Sequence, residues 1–162
     1  MSSTNQQVIQ IRVAAVKDAA LIADMIHDLL MELEPEHQSE ISQMPLTETS
    51  QRLLEDGKVW ALIANIGSTP VGILTLHECA AIYAGGLFGE VSELYVKPQF
   101  RSGKVGEALL NYAMQFGAQK DWQRLEVGIP DPGERSRTHS FYCSNEFQQT
   151  GARLRRLINA PQ

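Results

Sequence analysis

The chain has 162 residues, of which 43% are hydrophobic and 20% are charged, and its formal net charge is −5. This length suits a single domain with its own core, and the composition excludes disordered, collagen-like and coiled-coil proteins. Because nucleic-acid binding needs clustered cations, the acidic balance disfavours a nucleic-acid partner and suits a cationic one. We therefore expect a single domain over residues 1–162.

The cysteines, the histidines and the apolar runs give no indication of a metal site or of a membrane-spanning segment. Cys79 and Cys143 are the only cysteines and lie far apart, which fits neither a disulfide framework nor a four-ligand zinc site. His27 and His37 have no companions at metal-ligand spacing, so no metal site is expected. The N-terminus shows no signal-peptide pattern, and the longest apolar run, residues 59–64, is too short to cross a bilayer. We expect a soluble cytoplasmic protein without a membrane partner.

The first half of the chain predicts a strand, two helices and a hairpin. Residues 8–13 are rich in β-branched side chains and predict a strand. Asp18 is a candidate N-cap for a helix whose apolar stripe runs to residue 33, followed by a loop over 34–45 and a helix over 47–56. The apolar runs 59–66 and 71–76 flank turn residues and predict an antiparallel hairpin.

The second half alternates strands and helices. Glycines at 85, 86 and 89 predict a connection, followed by a strand over 90–96 that ends before Pro98. A helical stripe starts at Val105 and ends near Gly117, a strand covers 124–129, a helix covers 135–144, and a last strand starts at Phe147. The order predicts a mixed α/β fold, in which an antiparallel N-terminal meander precedes β-α-β-α-β with a central parallel pair.

A short loop between the strand 90–96 and the next helix is a candidate anion site. Gly103 and Gly106 let backbone N–H groups converge at the helix N-terminus, and Arg101 and Lys104 add cations, although a plain tight turn is equally compatible. The ATP-binding P-loop is excluded, because Val105 stands where that motif needs Ser or Thr. The dinucleotide-binding pattern Gly-x-Gly-x-x-Gly does not follow any predicted strand either.

Two segments resemble motifs of the GNAT superfamily, the acetyl-CoA-dependent N-acetyltransferases. The first resembles motif A and reads Leu94-x-Val96-x-Pro98-x-x-Arg101-x-x-x-x-Gly106. The second resembles motif B and reads Phe141-Tyr142-x-x-x-x-Phe147. The order of strands and helices also agrees, so the resemblance covers about residues 9–157. It implies a GNAT-like fold and transfer of an acetyl group to an amine.

The resemblance also implies where acetyl-CoA binds. The residues expected to bind it are Leu94, Tyr95, Val96, Arg101, Ser102, Gly103, Lys104, Val105, Gly106 and Tyr142. A backbone N–H near Leu94 or Val96 would polarise the thioester carbonyl.

Acetyl transfer requires that an amine lose a proton, attack the thioester and expel a thiolate. Tyr142 is the candidate general acid for the thiolate, and a tyrosine packed on the sheet is the alternative. Glu93 and Glu90 are the candidate bases, and solvated strand carboxylates are the alternative. Glu93 is preferred because it adjoins the thioester strand segment. Cys143 is interpreted as a structural thiol, with a nucleophile as the alternative. His77 and Glu78 are interpreted as a surface pair, with a place in the acceptor pocket as the alternative.

Three residues depart from the family pattern. Lys104 stands at the first glycine of motif A, Glu146 at the glycine before Phe147, and Arg135 where many members carry an Asn that meets the pantetheine arm. These departures leave an alternative open, a catalytically silent GNAT-fold module that binds acyl-CoA as a sensor or interaction protein.

The acceptor is expected to be a cationic amine. Residues 24–56 contain nine acidic side chains and one basic side chain, Arg52. In the family this region covers the acceptor site, although much of the charge is a solvated helix face. The expected acceptors are a polyamine, an aminoglycoside-like amine, or the lysine or N-terminus of a peptide. The resemblance leaves a homodimer open.

Overall fold

A computed structural model describes residues 7–129, 137–151 and 153–158. The chain folds as two compact units, Met1–Val127 and Gly128–Gln162. The single domain over 1–162 therefore stays a prediction. Arg135 lies outside the described residues, and with it the predicted start of the last helix.

The first unit is built on a five-stranded mixed sheet, which confirms the predicted fold class. The strands follow one another in the order β1-β2-β3-β4-β5. The first four pair antiparallel, and β5 pairs parallel to β4. Their bounds are Ile9–Val13 (β1), Trp60–Ile66 (β2), Thr69–Ala81 (β3), Gly86–Val96 (β4) and Leu125–Val127 (β5).

The described residues form five helices, which agree with the predicted ones except between residues 34 and 45. Their bounds are Ala19–Leu33 (α1), Gln38–Ser42 (α2), Leu46–Glu55 (α3), Val105–Gln119 (α4) and Arg137–Ser144 (α5). The prediction of a loop over 34–45 is wrong, because Pro35 begins a 3-10 turn and α2 follows it. Burial of the Ile41 side chain anchors this stretch, whereas Met44 is exposed. One buried residue gives no periodicity for a sequence to display.

The hairpin of β3 and β4 is longer than predicted. Only Gly85 belongs to its turn, with φ +77°, and Gly86 is the first residue of β4, with φ +122°. Gly89, expected in the connection, lies inside β4. The strand has glycine at this position because an added Cβ would overlap the ring of Trp122. Trp122 packs edge-on against Trp60 and Phe116, with ring centroids 5.9 and 5.8 Å away, as expected of a packing residue.

The long helices α1 and α4 cover opposite faces of the sheet. Ile73 of β3 packs into a core cluster with Ile22, Met25 and Ile26 of α1. The neighbouring Gly72 lies under α4, since its Cβ would contact Val105 and Leu109. Consecutive strand residues point to opposite faces, so β3 residues in phase with Ile73 face α1 and those in phase with Gly72 face α4. This alternation fixes the face of each candidate site residue.

The start of α1 is held by an ion pair instead of the predicted side-chain cap. Asp18 is the N-cap residue, but its carboxylate makes no hydrogen bond to the helix. It accepts two bonds of 2.8 Å from the Arg12 guanidinium and one from the Ala15 amide. These partners lower the pKa of Asp18 to about 2. The carboxylate thus joins β1 to the entry of α1.

The predicted last strand is wrong for the residues that can be described. Residues 147–151 and 153–158 contain no strand. Among the helices of the described ranges, none combines the length and hydrophobicity needed to span a membrane.

Candidate active site

A β-bulge in β4 brings the two candidate bases to one face. Thr75 pairs with Glu93 while the next β3 residue, Leu76, pairs with Val91, so Ser92 is an extra residue in β4. Glu90 lies opposite His77, which is two residues after Thr75 and points the same way. Glu90 and Glu93 therefore share the face that α1 covers, although they are three residues apart.

Glu93 is held by Thr75 through two hydrogen bonds. The Thr75 hydroxyl donates to the Glu93 carboxylate, and the Glu93 backbone N–H donates to Thr75 Oγ1 over 3.1 Å. Thr75 is buried, and desolvation raises the pKa of the partly buried Glu93. A carboxylate with a raised pKa is a better proton acceptor near neutral pH.

Glu90 lies among polar side chains of the same face. Its Oε2 is 3.7 Å from His77 Nε2 and 3.8 Å from Cys79 Sγ. The predicted surface pair of His77 and Glu78 is wrong, because adjacent strand residues face opposite sides. Glu78 instead accepts a hydrogen bond of 2.7 Å from the indole N–H of Trp122.

The end of β4 presents backbone N–H groups at an open edge. Lys97 donates its N–H to the Val71 carbonyl, and Glu93 directs its N–H to Thr75, so both point toward β3. By alternation, the N–H groups of Leu94 and Val96 point away from β3. On that side β5 pairs with β4 only up to Val91, and no other strand of the described chain lies there. These two amides can polarise a carbonyl.

The N-terminus of α4 has the properties of an anion site. Lys104 precedes the helix with φ 64° and no side chain caps it. The first N–H groups of a helix have no partner within the helix, so those after Lys104 are available to phosphate oxygens. Beside them lies a concavity of about 390 Å³ lined by Gln7, Ile9, Ile66, Gln99, Phe100, Ser102, Gly103 and Lys104. The N–H groups and the concavity therefore suit an anionic group such as a phosphate.

Two of the predicted cofactor residues direct their side chains toward α1. Arg101 donates to both carboxylate oxygens of Glu32, at 2.7 and 2.8 Å, and to the Val96 carbonyl at 2.8 Å. Tyr95 is buried in the core cluster of α1. Its pKa is raised by burial and by the charges of Asp28 and Glu32. The Tyr95 side chain therefore packs under α1, and by the same alternation its backbone N–H points toward β3.

In the second unit, motif B forms the C-terminal cap of α5. Phe147 donates its N–H to the Tyr142 carbonyl at 3.1 Å, and Glu146 donates to the Cys143 carbonyl at 3.2 Å. Such a pair of bonds ends a helix when the first of the two donor residues is left-handed. Here that residue is Glu146, whose φ is 69°. The rings of Tyr142 and Phe147 meet with centroids 5.2 Å apart. Burial raises the pKa of Tyr142 to about 12, so its hydroxyl holds its proton at neutral pH.

The departures at Lys104 and Glu146 share one physical property. Both residues adopt a positive φ, 64° and 69°, in the region that glycine adopts without strain. The backbone expected of the family's glycines is therefore kept with non-glycine side chains.

Sequence reasoning missed Thr75, Glu32 and His139. Thr75 contacts Glu93 only through the strand register, and Glu32 contacts Arg101 across 69 positions of sequence. His139 precedes Cys143 by one helical turn, and both of its ring nitrogens lie near Sγ, at 3.8 and 3.7 Å. An i, i+4 spacing on a predicted helix could have revealed this last pair.

Comparisons with known proteins show the family of this chain. Residues 23–145 match the model of the acetyltransferase (GNAT) family. The aminoalkylphosphonate N-acetyltransferase of Salmonella typhimurium strain LT2 is 24% identical, over 93% of this chain and 92% of that protein.

Two solved structures share the fold. One is the ribosomal-protein-alanine N-acetyltransferase of Brucella melitensis biovar Abortus 2308, at 18% identity and TM-score 0.70, covering 95% of this chain and 100% of that one. The other is an aminoglycoside acetyltransferase from a soil metagenomic sample in complex with sisomicin, at 18% identity and TM-score 0.78, covering 93% and 97%.

The chain belongs to the acetyltransferase (GNAT) family and is an N-acetyltransferase of that class. The resemblance stated from motifs A and B is thereby confirmed.

Proposed function

We propose that this enzyme transfers the acetyl group of acetyl-CoA to a primary amine of a small molecule or peptide, by direct attack in a ternary complex. The open edge of β4 carries the proposal, because the amides of Leu94 and Val96 point away from β3 beyond the last residue paired with β5. The same chain segment leads into the uncapped N-terminus of α4. A thioester carbonyl and a pyrophosphate would thus find donors along one stretch of chain.

The proposal assigns residues to polarisation of the thioester carbonyl and to removal of the amine proton. The N–H groups of Leu94 and Val96 hold the carbonyl oxygen, and preorganised donors of this kind are each worth about 2.7–4 kcal/mol of transition-state stabilisation. Glu93 receives the amine proton, directly or through water, and its raised pKa suits that role. Glu90, on the same face, is the alternative base.

Tyr142 completes the mechanism by assisting the departing thiolate. With a pKa of about 12 the phenol is a much weaker acid than a thiol, whose pKa is near 8.5. Full proton transfer to the thiolate is therefore uphill. Tyr142 acts by donating a hydrogen bond as negative charge develops on sulfur.

The proposed acceptor is cationic. The nine acidic residues between 24 and 56 are all exposed, on and between α1, α2 and α3. Among them, the charges of Asp28 and Glu32 raise the pKa of Tyr95, which lies between Leu94 and Val96 on β4. The relatives named for aminoalkylphosphonate and aminoglycoside acetylation support an amine on a small polar molecule.

Thiol release from acetyl-CoA with a panel of amines tests the proposal. The panel contains a polyamine, an aminoglycoside, an aminoalkylphosphonate and a peptide with N-terminal alanine. We expect turnover with at least one amine and intersecting double-reciprocal plots, as a ternary complex requires. Thermal stabilisation by CoA without turnover on any amine would favour the acyl-CoA sensor instead. Glu93→Gln is the control, since it should keep the CoA stabilisation and lose turnover.

A further inference from the structure

Three side chains with metal-binding atoms converge on the β3–β4 hairpin. Glu90 lies directly opposite His77, and Cys79 follows two residues later on β3, so all three point to one face. Glu90 Oε2 is 3.7 Å from His77 Nε2 and 3.8 Å from Cys79 Sγ, and the three donor atoms lie within 4.8 Å of one another. No sequence motif predicts this trio, because it depends on the cross-strand register.

The two separations to Glu90 are close to those found around one transition-metal ion. Zinc binds nitrogen and oxygen at about 2.0–2.2 Å and sulfur at about 2.3 Å, so tetrahedral ligand atoms lie roughly 3.3–3.6 Å apart. The two distances to Glu90 exceed this range by only a few tenths of an ångström. Thiolate and imidazole favour Zn²⁺, Co²⁺ and Ni²⁺ over Mg²⁺ and Ca²⁺, which prefer oxygen ligands alone.

The bulge supplies an orienting group for the histidine. His77 Nδ1 is 2.7 Å from the hydroxyl of Ser92, the extra residue of β4. A histidine that ligates through one ring nitrogen usually hydrogen-bonds through the other, which fixes the ring and its tautomer. Here that bond leaves Nε2 directed toward Glu90. This contact is an observation independent of the cluster itself.

We propose that His77, Cys79 and Glu90 bind a divalent transition-metal ion of the zinc type, with Ser92 orienting His77. The side chains of His77 and Glu90 are 35% and 14% exposed, so an ion reaches them from solvent. Three protein ligands leave the fourth position of a tetrahedral site to water or an exogenous donor. Glu90 is then a metal ligand, which leaves the proton transfer to Glu93.

Titration of the metal-free protein with Co²⁺ tests the site without reference to acetyl transfer. Co²⁺ bound to a thiolate gives a near-ultraviolet charge-transfer band. We expect this band with one ion per chain in the wild type and in Cys143→Ser, and its loss in Cys79→Ser. Cys143→Ser is the matched control, because Cys143 is the only other cysteine and lies beside His139.

Ser92→Ala keeps all three ligands and tests the orienting bond. Loss of such a second contact costs about 10–100-fold in metal affinity, so the band should remain but saturate at correspondingly higher Co²⁺. The proposal is overturned if folded wild-type protein gives no band. It is equally overturned if the band persists in Cys79→Ser and disappears in Cys143→Ser. Retention in Cys143→Ser supports the assignment even if Cys79→Ser does not fold.

Discussion

Arg101 holds Glu32 through one guanidinium nitrogen, which lies 2.7 and 2.8 Å from the two carboxylate oxygens. The same guanidinium lies over the ring of Tyr95, 5.6 Å from its centroid. The residue that motif A offers to pyrophosphate thus joins the end of β4 to the last turns of α1. A phosphate that recruits Arg101 must compete with Glu32.

Glu32→Gln should therefore strengthen acetyl-CoA binding. The pair is more than a third exposed, and such pairs are worth about 0.2–1 kcal/mol, so affinity should rise by no more than about fivefold. The melting temperature should hardly change. Isothermal titration with acetyl-CoA measures the effect, and Glu34→Gln, which removes a neighbouring exposed charge, is the control. An equal gain in both variants would point to general electrostatics instead of release of Arg101.

Glu93→Gln should lower kcat by about 10²–10⁴-fold and stabilise the fold at neutral pH. Burial holds the folded-state pKa of Glu93 above its unfolded value. The carboxyl's contribution to stability is therefore complete below the unfolded pKa and is lost as pH rises through the folded pKa. Glutamine does not titrate, so the gain in melting temperature should grow from acid to neutral pH. Glu48→Gln, at an exposed position of α3, should show neither effect. A constant offset across pH would contradict the assigned burial effect.

Gly106→Asp should separate stability from cofactor binding. A carboxylate in the first turn of α4 favours the helix dipole, so the free energy of unfolding should stay the same or rise by about 0.3–1 kcal/mol. The same charge repels pyrophosphate, so acetyl-CoA should bind more weakly. Gly106→Asn is the neutral control of equal size and should weaken binding less. Unchanged affinity in a folded Asp variant would show that the loop is only a turn.

Tyr142→Phe should reduce kcat by about 10²-fold or more while the affinity for acetyl-CoA hardly changes. Phenylalanine keeps the ring contacts with Phe141 and Phe147 and removes only the hydroxyl. The loss should shrink with an acyl donor whose thiol is a better leaving group. Because the pKa of Tyr142 is about 12, its ionisation should produce no alkaline fall in kcat below about that pH. Tyr112→Phe is the matched control on α4. A wild-type kcat with acetyl transfer rate-limiting would show that the departing thiolate needs no hydrogen bond from Tyr142.

Lys104→Gly and Glu146→Gly should each stabilise the protein. A left-handed residue with a side chain costs about 1–2 kcal/mol, while glycine costs about 0.4–1 kcal/mol through the unfolded state, so the net gain is about 0.5–1 kcal/mol. Chemical denaturation measures it. Lys97→Gly is the control: Lys97 has φ −54°, so glycine there should destabilise. Destabilisation by all three would mean that the side chains of Lys104 and Glu146 contribute contacts that outweigh their strain.

The sequence was sufficient for elements with a strong period. The apolar stripes predicted α1 and α4, and the motif from Leu94 to Gly106 predicted the loop between β4 and α4. It was insufficient for the part of the β3–β4 hairpin nearest the turn. Glycine is typical of turns, and the reason for Gly89 inside a strand is its close packing against Trp122, which the sequence does not show. Glu93 was identified as a candidate base, but its partner Thr75 is 18 positions away and depends on register.

The single extra residue in β4 also affects how this sequence is compared with others. Ser92 shifts the alternation of the strand by one, so a related chain without it would need a one-residue gap at that point. Suppose that an ungapped comparison aligns the residues after Ser92 correctly. It would then match Glu90 with a position on the opposite side of the sheet. Roles at Glu90, His77 and Cys79 should therefore be transferred between relatives by cross-strand partner, not by column.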